Sequence, residues 1–314
     1  CLLPLQNSSL MALRLLLPSL VLLQLIAFGR AFFYEAPKRI QKFGDSHYVL
    51  RATQYTIDDG VCAPTDEAEL RKVVQKHCHT LEVFLENRPI AKHTKAAFLS
   101  VKDALQNKND VSVQQRKFIL DSGCGTGRST LLLGEQYPDH TIIGVDRSFV
   151  RLKRNSVENE VNESTDDSLR PFHALSSNVL LVRAELTDFW RCCLEEGWEI
   201  DYHYILYPNP YPKKNRLKKR FYAHPSFPLI LALGGGKIVI RSNWEGYLKE
   251  FAQSVVYASD YYEQSKDREN TAKAYVKNAK DGPHERLDKL VAWTLFEKKY
   301  DDVGEKTYEL ILRP

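Results

Sequence analysis

The sequence predicts an alternating α/β fold on a doubly wound, mostly parallel sheet, and three observations carry that expectation. Lys117-Phe-Ile-Leu-Asp-Ser-Gly-Cys-Gly-Thr-Gly-Arg128 is an apolar run that ends in an acid and opens directly into three alternating glycines. Thr141-Ile-Ile-Gly-Val-Asp146 is a second short apolar run ending in a carboxylate, 19 residues beyond Gly127, and the intervening stretch has the length of one helix. Further short apolar runs recur downstream, separated by spacers long enough for crossovers. At 314 residues, with 43% hydrophobic and 27% charged residues, the chain has ordinary globular composition and can bury a full core. A net charge of +4 is only mildly basic, so a local cluster of cations would mean more than the total.

The N-terminal residues read as a targeting signal. Met11 is the only methionine, which places residues 1–10 upstream of the expected start. Arg14 precedes an apolar run from Leu15 to Phe28, interrupted by Pro18 and Gln24, and Gly29-Arg30-Ala31 offers small residues where a signal peptidase cuts. The run is too short and too interrupted for a membrane span, so the mature chain is expected to have no stable membrane association. Residues 1–31 thus form a leader. The basic segment Phe32-Phe-Tyr-Glu-Ala-Pro-Lys-Arg-Ile-Gln-Lys42 resembles the bipartite plastid-import leaders of algae with secondary plastids. Plastid stroma is the expected destination, with the secretory pathway as alternative. Cys62, Cys78, Cys124, Cys192 and Cys193 are odd in number and lack C-x-x-C spacing, which fits neither a disulfide framework nor a zinc site, and no metal is expected.

Between residues 66 and 87, Leu70, Val73, Val74, His77, Leu81, Phe84 and Leu85 recur at helical spacing, with Asp66 and Glu69 as a cap pair. A second helix is predicted over Thr94 to Leu105. His77 reads as a core-edge residue and His79 as solvated. Polar residues Gln106 to Gln115 then link a segment 32–115, transit sequence plus helical extension, to a catalytic domain 116–314.

Within that domain, Gly123, Gly125 and Gly127 allow a sharp turn and close approach of backbone to a ligand. Asp146, at the end of the second strand, has the spacing of an acid that binds ribose hydroxyls. The G-x-G-x-G turn resembles motif I of the S-adenosylmethionine (SAM) methyltransferases. A helix is predicted from Arg147 to Arg154, a polar acidic loop over Glu158 to Ser168, and a third strand over Val179 to Arg183. Glu185 follows that strand, where it meets the adenine side of a cofactor or is a solvated loop carboxylate. Tyr202 to Tyr207 and Lys237 to Ile240 supply the fourth and fifth strands. Leu290 to Phe296 and Tyr308 to Leu312 are predicted as a final antiparallel hairpin.

The fourth strand runs into Tyr207-Pro-Asn-Pro-Tyr-Pro-Lys-Lys214, whose prolines exclude helix and fix Asn209 and Tyr211 at the lip of the crevice. An amide beside an aromatic ring suits a base, the ring stacking and the amide orienting a nitrogen. Lys213, Lys214, Arg216, Lys218, Lys219 and Arg220 then place six cations within eight residues, a phosphate-binding edge or a solvated face.

Here the resemblance becomes specific. Tyr207-Pro-Asn-Pro-Tyr-Pro-Lys-Lys and the basic run resemble the F-P-D-P-W-P-K-K-R-H motif of the tRNA (guanine-N7)-methyltransferase family. Arg241-Ser-Asn-Trp-Glu-Gly-Tyr247 is similar to its T-D-W-x-x-Y, and Thr294-Leu-Phe-Glu297 to its T-x-F-E, so the likeness spans about residues 117–312. The resemblance implies a Rossmann-like class I methyltransferase with a mostly parallel seven-stranded sheet, helices on both faces and a helical N-terminal extension. It implies SAM as cofactor and tRNA as partner. Asp121, Asp146 and Glu185 would contact SAM, Lys213 the substrate, and Thr294 and Glu297 the guanine, with Lys214 and Arg216 on the phosphate edge. Two positions depart from the pattern: the family's catalytic aspartate corresponds to Asn209, and the acid of T-D-W to Asn243. Guanine N7 carries no proton and needs no general base, but an amide cannot stabilise a cationic purine as a carboxylate would. Asn-Pro-Tyr also resembles the N-P-P-Y loop of amino-directed nucleic-acid methyltransferases. Methylation of another base or a small molecule, or a silent SAM- or RNA-binding subunit, are the alternatives.

Overall fold

The computed structural model describes residues 64–106, 117–156, 172–233, 236–265, 270–287 and 291–314. The leader, the transit-like segment and Cys62 lie outside the described residues, as do all of the polar linker beyond Gln106 and the acidic loop of 158–168.

The N-terminal helices form where their periodicity predicts. Helix α1 (Glu67–His79) begins where the Asp66 carboxylate accepts the Glu69 N–H, and it buries Leu70, Val74, His77 and Cys78 along one stripe. A break at Thr80 separates it from α2 (Leu81–Glu86). Helix α3 (Lys92–Gln106) buries Thr94, Ala97, Phe98, Val101 and Leu105. His77 is buried and His79 exposed, the latter against the Tyr261 hydroxyl.

Strand β1 (Phe118–Ser122), helix α4 (Arg128–Gln136) and strand β2 (Thr141–Asp146) make the first βαβ unit. After α5 (Phe149–Ser156) come β3 (Phe172–Ala174), β4 (Val179–Arg183), α6 (Leu186–Glu195) and β5 (Ile200–Leu206). Two 3₁₀ segments, Lys214–Lys219 and Phe221–Ala223, precede α7 (Phe227–Leu233) and β6 (Lys237–Ser242). The chain closes with α8 (Glu245–Gln264), a 3₁₀ turn (Lys273–Tyr275), α9 (Val276–Asp281), β7 (His284–Glu285), α10 (Leu295–Asp302) and β8 (Tyr308–Leu312).

The sheet order is β3-β4-β2-β1-β5-β6-β8-β7. The five central strands β4, β2, β1, β5 and β6 are parallel, while β8 runs antiparallel to β6 and β7, and β3 antiparallel to β4. The chain moves outward from β1 to β2 on one side and restarts with β5 on the other, so the strand order reverses at β1/β5. Ligands of such sheets sit beyond the carboxyl ends at that switch point. Successive residues alternate between two covered faces: Phe118 and Leu120 join the larger core with Phe98, Trp190 and Phe251, while Ile119 joins Leu133, Ile142 and Val239. Among the described residues no helix is long and apolar enough to cross a membrane.

The mostly parallel α/β sheet with N-terminal helices expected from the sequence is the observed fold. Among the described residues the sheet has eight strands where seven were expected: short β3 and β7 are added by pairing with β4 and β8, and one expected strand is lost. The strand predicted over Leu290–Phe296 is corrected: among the described residues, 291–294 are loop and α10 begins at Leu295. The partners of β8 are β6 and β7, which replaces the predicted hairpin.

Helix α4 lies unusually close to the sheet. A Cβ on Gly144 of β2 would come within 2.5 Å of Thr130 Oγ1, and one on Gly134 within 2.3 Å of Val179 Cγ2. Gly127 has φ +80°, and a Cβ there would come within 2.6 Å of Leu181 Cδ1.

Candidate cofactor crevice and acceptor loop

The glycine turn sits at the carboxyl end of β1, at the switch point. Gly123 and Gly125 adopt positive φ, and a Cβ on either would meet nothing within 4 Å. Their backbone therefore faces open space, as a cradle for a ligand must, whereas Gly127 is packed inward and starts α4. Asp146 ends β2 beside them with its side chain only 3% exposed. Its Oδ2 accepts the Gly125 N–H at 3.1 Å, its Oδ1 accepts the Ser148 N–H at 2.7 Å, and Arg151 Nη2 stands 3.2 Å from Oδ1. An ionised carboxylate has about four acceptor sites, so these contacts aim it and leave capacity for hydroxyls. The residues present thus fit a nucleoside-bearing cofactor such as SAM.

Asp121, read from sequence as a cofactor contact, lies beneath the turn and is 1% exposed. Its Oδ2 accepts hydroxyls from Ser129 (2.6 Å) and Thr130 (2.7 Å), pinning the first turn of α4 to β1. Burial pushes its carboxyl up to about 6 against the pull of those hydroxyls. Asp121 thus positions the helix start beneath the turn. Glu185 caps α6, its Oε2 accepting the Thr187 N–H, and Arg88 from the α2–α3 link reaches the same oxygen at 3.2 Å. It is partly exposed at the edge of the crevice.

Sequence reasoning missed a buried triad under the crevice. Trp190 Nε1 donates to Ser122 Oγ at 3.0 Å, and Ser122 Oγ lies 2.8 Å from His203 Nε2. The indole can only donate, so Ser122 Oγ accepts from it and shares a second hydrogen bond with the His203 imidazole. Burial lowers His203 to about 3, keeping it neutral. Ser122 and His203 are sealed from solvent, so the triad ties β1, β5 and α6 together and is no nucleophile–base pair.

At the end of β5, Tyr207 (φ 51°) and Tyr211 (φ 44°) are left-handed without being glycine. Bulky residues rarely hold that region without surrounding constraint. Asn209 is exposed, and its Oδ1 accepts the Tyr211 N–H at 3.1 Å. Tyr211 is half-buried with Lys219 Nζ 6.0 Å from its ring centre. Lys213, Lys214, Arg216, Lys218 and Lys219 are exposed. Arg220 is not part of that edge: it is 2% exposed and turned inward, a correction to the six-cation reading.

The downstream motifs also change character. Asn243 is half-buried between the end of β6 and α8. Thr294 caps α10, its Oγ1 accepting the Glu297 N–H at 3.0 Å, so T-x-F-E here builds a helix start. Glu297 is 1% exposed. One carboxylate oxygen is paired with Arg286 and stands 3.8 Å from Arg241, while the other accepts the Trp293 N–H at 2.9 Å. Arg241 in turn pairs with Glu309 at 2.5 Å and lies over the Trp293 ring at 4.3 Å. Both oxygens of Glu297, the residue expected from the resemblance to meet the guanine, are engaged in this buried cluster. Among the described residues, no group of three or more His, Cys, Asp or Glu converges as a metal site would require.

Comparison with known proteins gives a consistent frame. The methyltransferase family model Methyltransf_4 matches residues 115–310. A tRNA (guanine-N(7)-)-methyltransferase of Acinetobacter baylyi is 24% identical over 131 residues, 41% of this chain and 47% of that protein. A bifunctional methyltransferase of Rickettsia prowazekii is 25% identical over 148 residues, 46% of this chain and 26% of that protein. The chain thus spans about half the length of the first of these relatives and a quarter of the second. A solved antibiotic-related methyltransferase aligns at 16% identity and TM-score 0.38, covering 68% of this chain and 94% of that one, too distant a likeness to bear on function.

Proposed function

This chain belongs to the Methyltransf_4 family of methyltransferases, and we propose that it transfers a methyl group from SAM to a base of tRNA, with guanine N7 as the leading acceptor. The observation that carries the reading is one of juxtaposition: an open glycine turn with Asp146 aimed beside it, and the strained loop of Asn209 and Tyr211, both at the carboxyl ends of strands flanking the switch point. The tRNA relative supports the choice of acceptor.

SAM, when bound, supplies an electrophilic methyl group on a sulfonium centre. In this reading Asp146 holds the ribose, the backbone of Gly123 and Gly125 makes room for the remainder, and Glu185 borders the adenine. Tyr211 stacks on the base and Asn209 orients it. Lys213, Lys214 and Arg216 hold phosphate, so that binding energy fixes the angle of an in-line attack. No side chain is required to remove a proton from guanine N7.

A second reading is favoured by one specific observation. Asn209 and Asn243 carry no charge, and Glu297 is neutralised by Arg286, so the three acceptor-side positions at which the family motifs place acids here offer no unpaired carboxylate. Such a pocket suits an exocyclic amine or another acceptor better than a purine that becomes cationic, and it also suits a silent RNA-binding subunit. Incubating the purified chain with labelled SAM and tRNA, then identifying the nucleosides by mass spectrometry, separates the readings. 7-Methylguanosine is the expected product; a different methylated nucleoside supports the second reading, and SAM binding without product supports the silent subunit. The plastid stroma is the proposed destination on the strength of residues 14–42, which a fluorescent fusion to that segment checks.

A further inference from the structure

Arg220 closes the basic run in sequence yet faces away from it. Its Nε donates to the Tyr211 carbonyl at 3.2 Å and its Nη2 to the Pro212 carbonyl at 3.4 Å. Its Nη1 donates to the Tyr222 hydroxyl at 2.9 Å and to Glu250 Oε2 at 3.0 Å, and the Tyr222 hydroxyl donates to the same carboxylate oxygen. Glu250, on α8, is fixed in turn by the Thr65 N–H at 2.7 Å and the Thr65 hydroxyl at 2.9 Å. One planar guanidinium thus spans a helix and two consecutive carbonyls of the loop, which a point-charged lysine cannot do.

The loop needs such a holder. Left-handed backbone at a non-glycine residue is unfavourable and persists only where the surroundings impose it. Tyr211 is one of the two strained residues, and it is the one whose carbonyl Arg220 grips. Its N–H is bonded to Asn209 Oδ1, so fixing Tyr211 also fixes the amide side chain.

We infer that Arg220, locked by Glu250 and Tyr222, is a positioning residue that presets the acceptor loop and thereby the places of Asn209 and Tyr211. The catalytic part of this inference rests on the proposed function; the geometric part does not. Arg220 contributes no charge to the RNA-facing edge. Its loss differs in kind from loss of Lys213 or Lys214, because it disturbs the orientation of a base and not the grip on phosphate.

The test uses the full chain and three measurements. Hydrogen exchange of the backbone over 207–216 is compared in wild type, Arg220→Lys and Glu250→Gln, the second variant being the milder change should the first not fold. Exchange at Tyr211 should rise about tenfold in both, with the peptide containing the glycine turn and SAM affinity unchanged. With tRNA as substrate, Arg220→Lys should lower kcat on the order of a hundredfold while KM for tRNA stays near wild type. Unchanged exchange in a folded variant overturns the inference, as does faster exchange with kcat intact. If wild type itself methylates no tRNA, the proposed function falls while the exchange result still decides whether Arg220 sets the loop.

Discussion

The proposed cofactor and acceptor sides of the crevice are built in opposite ways. On the cofactor side, backbone does the work: two open glycines, a carboxylate aimed by peptide N–H groups, and a helix start pinned by hydroxyls. On the acceptor side, side chains hold a strained backbone, and carboxylates are absent or paired. A site made of backbone tolerates sequence drift around it, because peptide groups are present whatever the residue. A site made of charged side chains changes chemistry with each substitution. The three alternating glycines of the first side match the family resemblance, while two acids of the family pattern are asparagines on the second.

The largest expected effect is on stability in acid, and it spans both sides. Burial lowers His77 and His224, near the basic run, to about 4, and His203, under the crevice, to about 3. Unfolded histidines take up protons below about 6.5, so the unfolded state binds more protons and stability falls as pH drops from that value through 4, by on the order of several kcal/mol in total. Asp121 works the other way. Its raised value lets the folded state bind the extra proton between about 6 and the ordinary carboxylate range, so this group gives back stability as pH falls. Chemical denaturation at pH 7 and pH 5 should therefore show a net loss at pH 5, and Asp121→Asn should gain stability over wild type at pH 7 but not at pH 4. A flat profile would mean that the buried imidazoles are not neutral.

Next in size, Asp146→Ala removes the aimed carboxylate, and SAM affinity should fall by about 1.5 to 3 kcal/mol in calorimetry. A folded variant with unchanged affinity would break the cofactor half of the comparison. Replacing Lys213, Lys214 and Arg216 together should weaken tRNA binding across sequences and reduce the salt slope by about 2 to 3. SAM affinity should stay as it is; an unchanged slope would make the basic run a solvated face. The smallest effect sharpens the acceptor half. If guanine N7 is the acceptor, Asn209→Asp restores a negative charge beside a purine becoming cationic and should keep or raise single-turnover activity, by up to about tenfold. If an exocyclic amine is the acceptor, the same change should impair it.

Much of the fold was legible because buried parallel strands announce themselves. The bounds of β2, β4 and β8 coincide with their apolar runs, and Asp66 and Glu69 mark a helix start. Strands β3 and β7, with three and two residues, have no period to read and exist only through their partners. Residues 290–296 carry apolar and β-branched residues that resemble a strand, but Thr294 and Glu297 form a helix cap, a signal hidden by reading the same residues as a base-binding motif. The placement of the motif residues at strand ends was legible and their burial was not. Asp121, Glu297 and Arg220 are charged residues inside the protein, and sequence gives no sign of which cation in a run faces inward.

The close seat of α4 on the sheet leaves the cofactor turn no mechanical clearance on its far side. Thr130 both donates to Asp121 and occupies the space a methyl on Gly144 would need. A single added carbon at 144 would press on that hydroxyl, lift the helix start and shift the turn, although Gly144 itself is buried within β2. Tolerance of the crevice to change is thus decided partly behind it, where a defect in cofactor affinity would surface at a residue that looks like ordinary packing.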